Sequence, residues 1–321
     1  RLVDTEKMCI VPAKPSFEYI ALSYTWGKGK QFKLFEDNHQ ELSKENALLE
    51  HEHQIPQTIK DAMFLVKKLG DRYLWVDALC IMQDSDCEDK KVQLPYMDRI
   101  YRSSVLTIAA AYGDGADAGL PGVRPNSRKQ VQRVESIQGI RLANRPWSFD
   151  KSVTDSTWNT RAWTFQERIL SSRILFITEQ QIFFKCDHVE GVRAEDLNSK
   201  LKKRTPVSWP MGDTGTDTIP RRWSINILSY QRIVKSFTAR ELTFPSDVLD
   251  AFSGIALRMR PLFRSGFLYG LPQSELDYCL LWEPGGHIRR RCIDAGKEEP
   301  KPIFPSWSWA GWIGPVRYDW Q

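Results

Sequence analysis

The chain has 321 residues, of which 41% are hydrophobic and 26% are charged, a composition typical of a globular protein with a substantial core and not of a disordered chain. Its formal charge of +5, from 45 basic and 40 acidic residues, is too small an excess to indicate nucleic-acid binding. The six cysteines form no CxxC pair and the five histidines form no HExxH motif, so neither a structural zinc nor a disulfide framework is predicted.

The apolar runs of the sequence are much shorter than a membrane span. Scattered, reduced cysteines suit a cytosolic protein. We therefore expect a cytoplasmic protein with no metal, no resident cofactor, and no membrane or nucleic-acid partner.

The first half of the chain alternates between predicted strands and helices. YIALSY (19–24) is mostly apolar and predicts a buried strand that leads into a TWG loop. Residues 28–54 are polar without a clear period and are predicted to form an insertion loop. Apolar residues at helical spacing then predict a helix that begins after Pro56 and ends at Gly70.

YLWVDALCI (73–81) is almost continuously apolar, which is typical of a central parallel strand with Asp77 presented near its carboxyl end. A helix is predicted over 92–101 and a third buried strand over 104–111. Strands that alternate with helices in this way predict an α/β fold with a doubly wound, mainly parallel sheet. A glycine-rich stretch then opens an irregular region that reaches about residue 157.

The following residues complete this predicted core. STWNTRAWTFQERIL contains a short predicted helix over 163–170, and 173–178 and 181–186 are two predicted strands of a hairpin. Residues 190–220 are predicted to be a linker or surface loop.

The C-terminal part is predicted to be rich in helix. An amphipathic helix is predicted over 223–240 and a second helix over 248–259. The three tryptophans of PSWSWAGW (305–312) predict a structural cap. We divide the chain into a domain over 1–187 and a C-terminal region over 188–321 that packs on it.

Four segments together resemble the heterokaryon-incompatibility (HET) family of fungal cell-death proteins. They are YIALSYTWG (19–27), LWVDALCIMQD (74–84), MDRIYRSSVLTIAAA (97–111) and NTRAWTFQE (159–167). Downstream, 242–256, 280–282 and 304–311 are similar to the region that commonly follows a HET domain.

HET domains are similar to TIR domains, which have a flavodoxin-like sheet and whose enzymatic members cleave NAD at the nicotinamide bond. The TIR pattern places Trp, Cys, two variable residues and a catalytic Glu after the third strand. Trp163 to Glu167 keeps this spacing, with Thr164 in place of the Cys. The long insertion before Trp163 departs from a compact TIR domain. The resemblance implies an NAD glycohydrolase with NAD as substrate and Glu167 as catalytic residue.

Cleavage of this bond requires stabilisation of a ribosyl cation but no general acid, because nicotinamide leaves as a neutral molecule. Glu167 would orient the ribose and offset the developing charge. The substrate-binding residues would include two stacking tryptophans, residues at the ends of the first two strands, and an arginine for a phosphate: Trp26, Trp163, Ser23, Tyr24, Gly27, Asp77 and Arg161.

Structural roles are open for the same residues. Trp26 and Trp163 would be core anchors, and Asp77 would cap a helix or pair with Arg161. Glu167 would form a surface bridge to Arg168 or Arg173. Cys80 lies in an apolar run without a neighbouring His, and we expect it to be a buried, unreactive thiol.

Three functions therefore compete. The first is an incompatibility effector that consumes NAD when it self-associates, and the second is a non-enzymatic homotypic adaptor in non-self recognition. The third, a carbohydrate enzyme lined by tryptophan, rests on composition alone. Self-association is the expected interaction, together with other incompatibility or NLR-type proteins.

Overall fold

A computed structural model describes residues 1–29, 31–84, 88–130, 132–187, 192–194, 227–293 and 300–319. The chain divides into two units. Unit 1 consists of Arg1–Gln93, Ile100–Asn159 and the described residues of Ser171–Trp209. Unit 2 consists of Leu94–Arg99, Thr160–Leu170 and the described residues of Pro210–Gln321.

Ten strands precede residue 195: β1 (Leu2–Asp4), β2 (Cys9–Val11), β3 (Tyr19–Ser23), β4 (Tyr73–Trp75), β5 (Leu106–Ala110), β6 (Val134–Ile137), β7 (Ile140–Ala143), β8 (Arg173–Ile177), β9 (Ile182–Cys186) and β10 (Val192–Ala194). The α-helices of the same part are α1 (Glu36–Leu42), α2 (Ala47–Glu50), α3 (Gln57–Leu69), α4 (Asp77–Cys80), α5 (Glu88–Gln93), α6 (Met97–Ser103), α7 (Thr157–Thr160) and α8 (Ala162–Leu170).

In the described part of the chain after residue 226 there are three α-helices: α9 (Ile227–Thr238), α10 (Asp250–Phe263) and α11 (Leu276–Cys279). Eight strands of two residues accompany them: β11 (Phe267–Leu268), β12 (Leu271–Pro272), β13 (Glu283–Pro284), β14 (Arg289–Arg290), β15 (Cys292–Ile293), β16 (Lys301–Pro302), β17 (Trp312–Ile313) and β18 (Val316–Arg317). The predicted α-rich C-terminal region is therefore a mixture of helices and short antiparallel pairs. Residues 190–220, predicted to be a linker, lie outside the described residues except for β10.

The central sheet of unit 1 has eight strands in the order β10-β9-β8-β5-β3-β4-β1-β2. The four central strands β4, β3, β5 and β8 are parallel to one another. Numbered along the chain, these four lie in the order 2-1-3-4. The predicted α/β class with a parallel sheet is confirmed for this centre, whereas both edges are antiparallel. The antiparallel strands β1 and β2 have three residues each, too few to show a period in the sequence.

The parallel strands are buried on both faces, which explains their uninterrupted apolar sequences. Ile20, Ala21 and Leu22 of β3 are fully buried. Aromatic side chains fill the space beside β8 and β9, where Phe149 meets Phe176 and Phe183 edge to face. Such edge-to-face pairs are favoured by the ring quadrupoles.

The prediction of a loop over residues 28–54 is wrong, because α1 and α2 lie there. Their apolar residues Leu42 and Leu48 are fully buried, and so is Leu34 just before α1. Asn38 closes the first turn of α1 by accepting a hydrogen bond from the Phe35 amide at 2.9 Å. Two helices this short expose no complete apolar stripe, so the sequence shows no helical period.

The predicted strand over 73–81 is also wrong in its second half. The strand ends at Trp75, and α4 occupies Asp77–Cys80. A short apolar run fits a buried helix as well as a buried strand, so periodicity alone does not separate them.

Two further predictions need correction. The helix predicted over 92–101 is divided into α5, a 3-10 turn at Leu94–Tyr96 and α6, because Pro95 interrupts it. The region predicted to be irregular up to residue 157 contains the β6–β7 hairpin and a π-helical turn at Asp150–Thr154.

The remaining predicted elements are confirmed. α3 is followed by Gly70 in the left-handed conformation, and β5 and α8 lie where they are predicted. β8 and β9 form the predicted antiparallel hairpin. The predicted helix over 223–240 is confirmed from Ile227, since 223–226 lie outside the described residues. The second C-terminal helix is α10, whose span is wider than predicted.

Unit 2 has its own core around α8, α9 and α10. Tyr230, Phe237 and Phe252 are buried there with Trp309, which lies in the tryptophan-rich segment predicted to be a cap. Trp309 donates from its ring nitrogen to the Tyr230 hydroxyl at 3.0 Å. None of the helices in the described part of the chain is long and apolar enough to cross a membrane.

Candidate functional site

In unit 1, the sequence-predicted residues lie at the carboxyl ends of the parallel strands. The order 2-1-3-4 places the reversal of strand order between β3 and β5, where Ser23 lies opposite Ala109. Crevices at such a reversal are the usual ligand sites of open α/β sheets. The loops that follow β3 and β5 therefore border the candidate site.

These two loops pack backbone against backbone. The Ala116 amide donates to the Trp26 carbonyl at 3.2 Å. Gly27 has a φ of +73°, and a Cβ added to it would lie 2.7 Å from the Gly115 Cα. Gly27 is therefore required for the close approach of the two loops.

Trp26 and Asp77 meet directly at this edge of the sheet. The Trp26 ring nitrogen donates to Asp77 Oδ2 at 2.9 Å, and the Ala78 amide donates to Asp77 Oδ1 at 2.7 Å. The Lys33 ammonium lies 4.6 Å from the centre of the Trp26 ring, a cation–π contact. Asp77 is thus the first residue of α4 and accepts from the amide of the next residue, whereas Val76 occupies the N-cap position. The Trp26 and Asp77 side chains are half-buried, so each keeps a solvent-accessible part.

Ser23 and Tyr24 are buried inside unit 1. Ser23 is 1% exposed, and its hydroxyl accepts a hydrogen bond of 2.7 Å from the ring nitrogen of Trp158. Tyr24 is 4% exposed. Sequence reasoning did not select Trp158, although it stands only five residues before Trp163. The hydroxyl of Ser23 has a packing partner, and its contact with a substrate stays a prediction.

The three remaining site residues belong to unit 2. Glu167 is on α8 and is 7% exposed, so it is not a surface residue as the salt-bridge interpretation requires. Trp163 is half-buried and packs against the core of unit 2, in agreement with its role as an anchor. Between them, Phe165 lies 5.9 Å from Phe237, measured between ring centres.

The helix that carries Glu167 is fixed in unit 2 by polar contacts at its N-terminus and at its middle. The Ala162 amide donates to the Glu241 carbonyl at 2.9 Å, and the Glu241 amide donates to the Thr160 carbonyl at 2.7 Å. These bonds flank Arg161, which is half-buried. Farther along α8, Gln166 accepts from the Gly254 amide at 2.9 Å. α8 is therefore fixed in unit 2 through its first residue and through Gln166.

Cys80 has the environment of an unreactive thiol. It is fully buried, and burial raises its pKa to about 11. A thiol with such a pKa contains almost no thiolate at neutral pH. In the described ranges, no three His, Cys, Asp or Glu side chains are grouped in a way that would hold a metal ion.

The structure therefore brings Trp26, Gly27 and Asp77 together in unit 1, and Arg161, Trp163 and Glu167 together on or beside α8 in unit 2. A single substrate pocket built from all of the predicted residues stays a prediction.

Comparison with known proteins finds similarity over part of the chain. Residues 19–167 match the sequence model described as "Heterokaryon incompatibility protein (HET)". The chain is 27% identical over 207 residues to "Heterokaryon incompatibility protein 6, OR allele" of Neurospora crassa. This similarity covers 51% of the chain and 29% of that relative, so the chain spans less than a third of its length. No solved structure matches the chain.

Proposed function

We propose that this chain, whose residues 19–167 match the HET family model, acts in fungal incompatibility as a cell-death effector that cleaves NAD between nicotinamide and ribose. The match and the Neurospora relative support the incompatibility role. The observation that carries the NAD chemistry is the Trp163–Glu167 spacing on a rigidly held helix.

The sheet topology supports a nucleotide ligand. The strand order 2-1-3-4 agrees with the beginning of the flavodoxin-like order 2-1-3-4-5, whose ligands bind where the order reverses. At that position in unit 1, Trp26 is half-buried with the Lys33 ammonium against its ring, and Gly27 is exposed. We assign to these residues the binding of part of the nucleotide, and to Asp77 the orientation of the Trp26 ring.

Glu167 has the chemistry that the reaction requires. The C1′–N bond breaks with its electron pair on nicotinamide, which leaves as a neutral molecule, while the ribosyl group develops positive charge. Water adds to C1′ and loses a proton, so the products are nicotinamide, ADP-ribose and a proton. A carboxylate in a largely buried position stabilises that cation more than it would in water.

The experiment is an assay of nicotinamide release from NAD by the purified chain over a range of protein concentrations, since we propose that self-association activates it. Glu167→Gln removes the charge with little change in shape, and we expect release to fall about 100-fold or more. Glu241→Gln is the matched control, because Glu241 is an exposed residue of the same unit. Full release by the Glu167 variant, or none by the wild type at any concentration, would reject the catalytic proposal.

A second candidate, the non-enzymatic adaptor, is favoured by one observation: Ser23 and Trp163, both predicted to contact substrate, have packing partners in their own units. In an adaptor, Glu167→Ala would leave toxicity intact in the fungus, while surface substitutions that prevent self-association would abolish it.

A further inference from the structure

The most unusual surface of unit 1 is the hairpin of β6 and β7. Four of its apolar side chains are solvent-exposed: Val134 by 40%, Ile137 by 56%, Ile140 by 64% and Leu142 by 53%. The register pairs Ile137 with Ile140 and Glu135 with Leu142, so Ile137, Ile140 and Leu142 share one face. A two-stranded hairpin with a bare apolar face is marginally stable in water, which indicates that another surface covers it.

The same segment is strongly basic. Residues 128–145, which we name the basic hairpin, contain five basic residues and a single acidic one, Glu135. The side chains of Arg133, Arg141 and Arg145 are exposed, and no described residue forms an ion pair with any of the three. The surface that covers the basic hairpin must therefore be acidic as well as partly apolar.

An acidic surface of this kind is present on the same unit. Residues 36–52, which we name the acidic helices, contain α1 and α2 and have six acidic residues against one basic residue, Lys44. All six carboxylate side chains are exposed, and the apolar Leu49 of α2 is 47% exposed. Among the carboxylates, Glu45 pairs with Lys7 at 3.4 Å and Glu41 with His51 at 2.8 Å.

The two surfaces are attached to different turns of the sheet. The acidic helices are bound at the β1–β2 turn, where the amides of Asn46 and Leu48 donate to the carbonyls of Lys7 and Met8. The basic hairpin is bound at the β8–β9 turn, where Gln180 bonds to Gln130 at 2.7 Å and to the Trp147 amide at 2.8 Å. Within one chain, Arg133, Arg141 and Arg145 form no ion pair with any described carboxylate of the acidic helices.

We propose that the basic hairpin of one copy docks on the acidic helices of the next, which gives a head-to-tail assembly. A symmetric contact between two basic hairpins would oppose like charges, whereas the head-to-tail contact pairs opposite charges and covers the apolar face. A growing assembly of this type always has a free basic hairpin at one end and free acidic helices at the other. Further copies therefore extend it into a filament, or its two ends bind each other and close a ring. The inference rests on the self-association in the proposed function, and it names the surfaces responsible.

The test is charge reversal on each surface of the full chain, with association measured by sedimentation velocity at low and high salt. One variant is R133E/R141E/R145E and the other is E41K/E45K/E50K. We expect the wild type to assemble with rising concentration and less so in high salt, and each variant to associate about tenfold more weakly or worse. Combining all six substitutions in one chain, or mixing the two variants, should restore assembly.

Two further variants separate charge from fold and from packing. K14E/K67E/K68E changes the net charge as much as the hairpin reversal does, at exposed lysines outside both surfaces, and should assemble like the wild type. I137S/I140S removes apolar area without changing charge and should also weaken association. Thermal melts that match the wild type show that each variant is folded.

Several outcomes would overturn the interface. The first is a wild type that is monomeric at every concentration, and the second is a failure to assemble by the variant that combines all six substitutions. The third is binding to phosphatidylserine-containing vesicles that R133E/R141E/R145E abolishes while self-association is unchanged. The last result would identify an acidic membrane surface as the partner. Nicotinamide release distinguishes the two proposals: assembly without release rejects the NAD chemistry alone, whereas release by a monomer rejects the head-to-tail requirement alone.

Discussion

Substitution of Gly27 by alanine should destabilise unit 1 by about 2–4 kcal/mol. A φ of +73° costs a residue with a Cβ about 1–2 kcal/mol. The added Cβ would also lie 2.7 Å from the Gly115 Cα and 2.9 Å from the Asp114 carbonyl oxygen. Both are backbone atoms, so the loops must separate, and overpacking of this kind costs about 1–3 kcal/mol. The smaller entropy of the unfolded alanine chain offsets about 0.4–1 kcal/mol of the total.

Urea unfolding followed by tryptophan fluorescence measures this loss of free energy. Hydrogen exchange of the Ala116 amide reports the loop contact itself, because this amide donates to the Trp26 carbonyl. Gly29→Ala is the matched control, since its nearest neighbour would be the Asp117 carboxylate at 3.8 Å and its φ is not in the left-handed range. Equal stabilities of the two variants, or a Gly27 variant within about 0.5 kcal/mol of the wild type, would refute the reasoning.

Two other substitutions test the packing of unit 1. Trp158→Phe should lower the free energy of urea unfolding by about 1 kcal/mol, because Ser23 loses its indole donor. Trp147→Phe, at an exposed tryptophan, should lower it much less. Equal losses of free energy in the two variants would show that the Ser23 bond contributes nothing. Asp4 is buried, which alone would raise its pKa, but hydrogen bonds from Arg72 and from the Lys7 and Glu6 amides and the charge of Arg72 lower the pKa below its ordinary 3.8. A carboxylate with a lowered folded-state pKa stabilises the fold above pH 4, and that stability is lost as the pH falls through the folded-state pKa. Asp4→Asn should therefore lower the free energy of unfolding by about 2 kcal/mol at neutral pH and reduce the loss of stability at acid pH. Glu6→Gln, at a largely exposed partner of Arg72, should do neither. A loss of stability at acid pH that is the same in Asp4→Asn as in the wild type would contradict this.

The elements that could be predicted from the sequence are those with a long or uninterrupted apolar pattern. α3 shows a full helical stripe and ends at Gly70, and β3 and β5 are buried on both faces, so pattern and structure agree. The failures lie where elements are short. α1, α2 and α4 have seven, four and four residues, which is too few for the period to separate them from loops or strands.

The site could be predicted only in part. The contact between Trp26 and Asp77 follows from their places after neighbouring parallel strands, which end at the same edge of the sheet. The partnership of Ser23 with Trp158 joins residues 135 positions apart, and no local pattern indicates it. The same is true of Gln166 and Gly254, whose hydrogen bond fixes α8 against α10.

The most direct test of the catalytic proposal is the steady-state kinetics of Glu167→Gln with NAD, on protein whose assembly and melting temperature match the wild type. If the carboxylate stabilises the ribosyl cation, kcat should fall by about 10² to 10³ while KM changes little, because the lost interaction belongs to the transition state. A variant with the kcat of the wild type and only a raised KM would contradict the account, since Glu167 would then contribute to binding and not to catalysis.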